Sequence, residues 1–251
     1  MTLAFVFAYG AIIGSFLNVC IARLPDGRSV VRPASHCPQC QSFLAWYDNI
    51  PILSYLVLAG RCRTCRVGIS AVYPAVEVLT GALAVALFLR LGPTLAFAGY
   101  FVFAAALVVI TFIDLDHQII PDVISLPGIV VGLAFSLVSP LVTPIDAALG
   151  VLAGGGILLL VAWIYKTFRG IEGMGGGDVK LLAMIGAFLG WQSIFVTLFV
   201  GSVIGSIIGV GLMVKEGADA KLAIPFGPFL AGGALVYLFW GDRILAFYFG
   251  S

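Results

Sequence analysis

Hydrophobic positions in this chain come in long unbroken runs rather than in alternation. Eight runs stand out, at roughly 3–22, 72–89, 93–113, 121–140, 145–165, 179–190, 193–214 and 224–240. Runs of about 20 apolar residues read as transmembrane helices, and continuous runs fit helices better than the two-residue alternation of a membrane barrel. The pattern predicts an all-α polytopic membrane protein with about eight transmembrane helices. One polar loop, Arg23–Ala71, is far longer than the others, and no internal repeat is evident.

Two stretches do not fit a simple count. Ile50–Ala59 is apolar, but about ten residues cannot cross a bilayer. It also lies between two cysteine pairs that a crossing would separate, so it reads as an interfacial or packed segment. Val179–Val214 is 36 residues long, too long for one span and tight for two. A break at Gly190–Ser193 leaves a first helix of 12 residues, about 18 Å at 1.5 Å per residue. A helix that short draws its ends, Asp178 included, below the headgroup level.

Composition agrees. Of 251 residues, 61% are hydrophobic and 10% charged, with a mean hydropathy of +1.14. A soluble domain carries about 25% charged residues, so a water-soluble globule is excluded. A net charge of +1 offers nucleic acid no basic face. The first run has no basic residue before it and is followed by Arg23, which reads as an uncleaved first span with its N-terminus outside. With eight spans in that direction, 11 of the 13 basic residues fall inside, all but Arg90 and Arg243.

Cys37, Cys40, Cys62 and Cys65 form two CxxC pairs separated by 21 residues. Two such pairs complete a tetrahedral four-sulfur site, which suits structural zinc and leaves no open position for catalysis. Arg61, Arg63 and Arg66 would offset its negative charge. The alternative, two redox disulfides, is disfavoured by a cytoplasmic location. Cys20 reads as a small buried residue of the first span.

The 12 acidic residues are the most informative feature. Asp26, Asp48, Glu172, Glu216, Asp219 and Asp242 read as solvated loop or tail groups, and Asp146 starts a helix. Asp122 follows Pro121, the usual arrangement of a helix start with an acid in its first turn. Asp114 and Asp116 are two apart and point to different helix faces. Asp114 continues the third apolar run, so it is the one expected to face the bundle interior, where an ionisable group is a functional candidate. Asp178 suits a helix N-cap, yet three glycines precede it and permit close backbone approach. An even number of spans separates Asp114 from Asp178, so the two lie on one side and can meet. Glu77 reads either as a hydrogen-bonded or arginine-paired carboxylate at the membrane edge, or as a contact for a substrate amine. Lys180 is an interfacial anchor or tunes the acids, and His36 and His117 read as interfacial side chains.

Two carboxylates close together in a low-dielectric site share one proton. The ionised one can take a proton from water attacking a peptide carbonyl while the protonated one donates to the carbonyl oxygen. Neither a metal nor a nucleophilic serine is then required.

These residues resemble one family, the bacterial prepilin peptidases or type IV leader peptidases, membrane aspartic peptidases of the GxGD type. The similar segments are Gly14-Ser15-Phe16-Leu17-Asn18-Val19 through Arg23-Leu24-Pro25, the two CxxC pairs, and Ile69-Ser70 with Tyr73-Pro74-Ala75-Val76-Glu77. The Asp114 segment, Gly175-Gly176-Gly177-Asp178-Val179-Lys180-Leu181 and Pro225-Phe226-Gly227-Pro228-Phe229 follow in the family's order. The loop is compact, and the glycine motif carries an extra glycine at its variable position. The resemblance implies a bacterial inner-membrane enzyme with Asp114 and Asp178 as its catalytic dyad at the cytoplasmic side. Such enzymes remove the basic leader of type IV prepilins or pseudopilins after a glycine. Many then methylate the new N-terminal amine with S-adenosylmethionine. The implied division is a first transmembrane helix (1–22), a cytoplasmic zinc-binding loop associated with methylation (23–71) and a transmembrane peptidase domain (72–251). No residues for the methyl donor are assigned, because no GxGxxG follows a strand.

Two rival readings remain at the level of sequence. Asp114, Asp116 and Asp178 could serve a lipid-phosphate transferase as magnesium ligands, although few basic residues lie near them for phosphate. An ion-coupled transporter would need inverted repeats and acids near the bilayer midplane, and neither is evident.

Overall fold

The computed structural model describes residues 2–169, 175–216 and 224–249. Glu172 and Asp219, read above as loop or tail groups, lie outside the described residues. Nine α-helices are described: α1 (Thr2–Arg23), α2 (Leu53–Val57), α3 (Val72–Leu91), α4 (Leu95–His117), α5 (Asp122–Phe135), α6 (Pro144–Arg169), α7 (Gly176–Leu189), α8 (Trp191–Glu216) and α9 (Gly227–Phe249). Among the described residues the only β pairing is two isolated bridges, His36 with Phe43 and Arg61 with Gly68.

All eight apolar runs are helices. Six of them, α1, α3, α4, α6, α8 and α9, are long and apolar enough to cross a membrane. The other two, α5 and α7, have 14 residues each, about 21 Å against a hydrocarbon core of about 30 Å. The run 121–140 falls short as a helix because Pro140 disfavours a helical Ser139, and the chain turns after Phe135. The break expected near residue 190 is present. Gly190 has φ +80 and donates its N–H to the Gly186 carbonyl at 2.9 Å, a backbone state that favours glycine. The last helix runs beyond 240, since Ile-Leu-Ala-Phe-Tyr-Phe at 244–249 continues its apolar pattern. Asp242 and Arg243 therefore sit on α9, not in a tail.

The chain forms two compact units, Met1–Val109 and Ile110–Ser251. In the first, α1 packs against α3. A Cβ on Gly10 would meet Ala84 and the backbone of Gly81, and one on Gly14 would meet the backbone of Glu77. This small-residue contact lets two spans approach where lipid offers no hydrophobic drive for association. Asn18 ties the same pair by donating from Nδ2 to the Tyr73 carbonyl at 3.0 Å.

In the second unit α7 is central. Every residue from Leu181 to Leu189 is buried, as expected of a helix apolar on all sides, and α5, α6, α8 and α9 all pack on it. Its partners approach through glycine. Gly150 of α6 faces Gly186 backbone to backbone, and Gly132 of α5 lies against Ala187 and Phe188. A short helix can occupy this place because its neighbours, not lipid, surround it.

Candidate active site

Asp114 sits three residues before the end of α4 and is only 5% exposed. Asp116, on another face of the same turn, is exposed. The helix stops where Gln118 turns to φ +55 and donates its N–H to the Asp114 carbonyl. The Asp114 side chain accepts a hydrogen bond at Oδ2 from the Gly227 N–H, at 2.9 Å. Gly227 is the first residue of α9, where N–H groups lack a helical acceptor and the helix dipole favours negative charge. A Cβ there would collide with Asp114 Oδ2, so the contact requires glycine. The Pro225-Phe226-Gly227-Pro228 motif was visible in the sequence, but its role as a carboxylate partner was not.

Asp178 is the third residue of α7. Gly175 occupies the N-cap position, with extended backbone, so the capping role considered for Asp178 is not the one it has. Asp178 is half-buried and lies within electrostatic reach of Asp114. The two acids come from helices far apart in sequence, and the charge of one is felt at the other. A Cβ on Gly177 would meet Ile120 Cβ at 2.9 Å, whereas one on Gly176 would meet nothing among the described residues. Gly177 thus lets the start of α7 approach the segment after α4, a contact that Gly176 does not make.

Lys180 reaches Asp122, with Nζ 2.7 and 2.8 Å from the two carboxylate oxygens. It joins the first turn of α5 to the second turn of α7. Asp122 begins α5 directly after Pro121, as its sequence position implied.

Glu77 is buried in the second turn of α3, and its Oε2 accepts the Ile52 N–H at 2.7 Å. Its partners are the Ile52 backbone and the Ser15 side chain, not an arginine. Ile52 is held at φ +64, ψ −50 with Leu53 N–H bonded to the Pro51 carbonyl at 2.6 Å, a γ-turn of the rare, strained hand. A β-branched residue adopts it only under external restraint, and Glu77 supplies one.

The four cysteines converge as expected. Sγ atoms of Cys37, Cys40, Cys62 and Cys65 all lie within 4.8 Å of one another, and Cys37 and Cys65 are 3.8 Å apart. Tetrahedral Zn–S bonds of about 2.3 Å place sulfurs about 3.8 Å apart. One backbone turn is used twice. Cys37 N–H bonds the Ser42 carbonyl and Cys62 N–H the Val67 carbonyl; Gln41 N–H returns to Cys37 and Arg66 N–H to Cys62. Gln41 and Arg66 both have positive φ. Hydrogen bonds from Ser42 hold the Cys40 thiol down to about 6, while burial and the neighbouring sulfurs push Cys65 up to about 11, so without a metal the four do not all ionise together. The described cysteines are all free rather than disulfide-bonded. Of the three nearby arginines, Arg63 is committed elsewhere. It grips Asp48 through Nε and Nη2 at 2.6–3.1 Å and lies over the Tyr47 ring. Asp48 is accordingly a paired group, its side chain 6% exposed, and not a solvated one.

The magnesium-site reading is weakened by the same geometry. Among the described residues only the four cysteines form a cluster fit for a metal, and Asp116 is turned outward.

Comparison with known proteins gives the family. Residues 8–91 match the bacterial peptidase A24 N-terminal domain and residues 101–210 the type IV leader peptidase family. A prepilin leader peptidase/N-methyltransferase from Aeromonas hydrophila is 40% identical, covering 97% of this chain and 92% of that protein. The chain belongs to the type IV leader peptidase family. A relative of the same description from Burkholderia pseudomallei is 36% identical over 96% of this chain and 86% of its own length. One from Myxococcus xanthus is 42% identical over 85% of this chain. No solved structure matches the chain. The type IV leader peptidase match contains Asp114 and Asp178, and the N-terminal match contains the four cysteines and Glu77.

Proposed function

We propose that this protein is a membrane-embedded aspartic peptidase that cleaves the leader from type IV prepilins or pseudopilins and N-methylates the new N-terminus. Its relatives carry both activities in their name. The observation that carries the peptidase reading is the placement of Asp114: buried, bonded to the Gly227 N–H, and within reach of the Asp178 charge.

In this reading Asp114 and Asp178 share a proton. The ionised carboxylate takes a proton from the attacking water, and the protonated one donates to the carbonyl oxygen as the tetrahedral carbon forms. The Gly227 N–H fixes the orientation of Asp114, leaving its other oxygen for water or substrate. The distribution of basic residues supports an N-terminus outside and an active site at the cytoplasmic face of the bacterial inner membrane. A prepilin, with a basic leader joined to an apolar helix, would lie against the spans with its scissile bond at that boundary.

The four-sulfur site fits zinc, which would hold the 24–71 loop in shape and take no part in proteolysis. Cys37, Cys40, Cys62 and Cys65 would be its ligands. S-adenosylmethionine is the methyl donor the second activity implies. Nothing in the described residues forms a recognisable cradle for it, and no step is derived through it.

The test is cleavage of a purified prepilin by purified enzyme. Asp114→Asn and Asp178→Asn should each abolish cleavage in protein that remains folded by thermal melting. Full activity in either variant overturns the dyad. Cleavage should be indifferent to magnesium, which the phosphate-transfer reading requires. The product mass reports the cut position and the methyl group together.

A further inference from the structure

The segment between the two cysteine pairs is folded inside out for a water-exposed loop. In α2, Leu53, Leu56 and Val57 stand at i, i+3 and i+4, on one face, and are 60%, 65% and 79% exposed. Ser54 and Tyr55 on the other side are half-buried. The 3-10 turn Trp46–Asn49 packs against α2 and leaves Trp46 79% exposed. An apolar face of this kind, turned outward on a folded element, marks a docking surface.

Three observations say what covers it. The first is depth. Ile52, which immediately precedes α2, is bonded to Glu77, five residues inside the start of α3. That is about 7.5 Å along the helix axis, within one of the spans apolar enough for a membrane. The second is the backbone. The amides of Ile52, Ser54, Leu56, Leu58 and Gly60 all donate within the segment or to Glu77, as a segment bordering hydrocarbon requires. The third is charge and aromatic content. Exposed Arg61 and Arg66 follow the segment, suited to anionic headgroups. Trp46 and Tyr47 are residue types enriched at the bilayer boundary.

We infer that residues 46–57 form a lipid-docking finger, stapled at its base by the four cysteines and inserted by its Trp46, Leu53, Leu56 and Val57 face into the boundary layer of the leaflet from which α3 enters the membrane. The occupant of that face is lipid. Glu77 sets the depth by holding the γ-turn at Ile52. The finger keeps the sulfur site at the membrane surface, so the loop is a monotopic element and not a domain free in solution. The inference rests on the first unit alone and stands whether or not the proposed dyad is correct.

The test uses the full chain in phosphatidylcholine/phosphatidylglycerol vesicles, with Trp163→Phe, Trp191→Phe and Trp240→Phe leaving Trp46 as the only tryptophan. Trp46 fluorescence is expected to fall at least twofold with lipids brominated near the headgroup end of the acyl chain, and to resist iodide in the water. Quenching by iodide with no response to brominated lipid overturns the proposal. So does a Trp46 that becomes shielded only when a prepilin is added, which would make this face a protein-binding surface. Should the triple variant fail to fold, the native sequence answers with a photoreactive acyl chain. Label on peptides covering 53–57 supports the finger, and label confined to the long helices overturns it. In the native background, Leu56→Glu with Val57→Glu should remove most of that label while prepilin cleavage persists.

Discussion

Gly227 and Gly177 show how single missing Cβ atoms shape the candidate site. Both hold a close approach, the first to Asp114 and the second to Ile120. Gly227→Ala must displace either the start of α9 or the carboxylate. It is expected to lower kcat for prepilin cleavage by about 10²-fold, the usual cost of a small misplacement in a catalytic site, with little change in KM. Gly177→Ala should also impair cleavage, whereas Gly176→Ala, whose new methyl would touch none of the described residues, should leave kcat within about twofold of wild type. The sequence displayed three consecutive glycines before Asp178 and suggested a close approach, but which of them makes it depends on where Ile120 lies. Glu77 makes a parallel case. Its carboxylate restrains a strained Ile52, so Glu77→Leu should open the 51–53 turn, visible as faster hydrogen exchange of the Ile52 amide. The lost acceptor costs about 1–3 kcal/mol locally. Glu77→Gln, which keeps an acceptor oxygen, should retain most of the protection.

The element that decides the second unit is α7. Fourteen residues cannot cross a bilayer unaided, yet α7 is surrounded by four helices and buried from Leu181 onward. Its position depends on backbone contact between Gly186 and Gly150 of α6. Gly150→Val would insert a branched side chain between two backbones. It is expected to cost about 1–3 kcal/mol, measured as a lower unfolding midpoint in detergent, and to reduce cleavage by shifting Asp178. The Lys180–Asp122 pair at the same end is more exposed, 36% and 57% at the two side chains, and a pair in such surroundings contributes about 0–1 kcal/mol. Lys180→Ala should therefore change stability little. A large loss of cleavage in that variant would show that the pair aligns α5 with α7 for catalysis.

Across the whole molecule, the two sets of chemical groups fall in different units. Asp114, Asp178 and Gly227 belong to the unit 110–251, and the four cysteines and Glu77 to the unit 1–109. Proteolysis should accordingly survive damage to the metal site. Cys62→Ser, or removal of metal by a strong chelator, is expected to raise protease sensitivity of the 24–71 loop and reduce methylation of the product. Leader cleavage should stay within a few-fold of wild type. Metal analysis should find about one zinc per chain in the native protein and substantially less in Cys62→Ser. Loss of cleavage in parallel with zinc would overturn the separation of roles.

The sequence by itself determined the helical membrane class, the break at residue 190, the sulfur cluster and the choice of Asp114 over Asp116. Each follows from local rules: run length, the conformational freedom of glycine, ligand spacing and helix periodicity act over a few residues and need no knowledge of neighbours. Only the tertiary structure decided that α5 is short, that Gly227 is the partner of Asp114, that Asp48 is taken by Arg63, and that Ile52 rests on Glu77. Those contacts join residues from 15 to 113 positions apart. They depend on which helices pack and how closely, a property of complementary surfaces that no window along the chain contains.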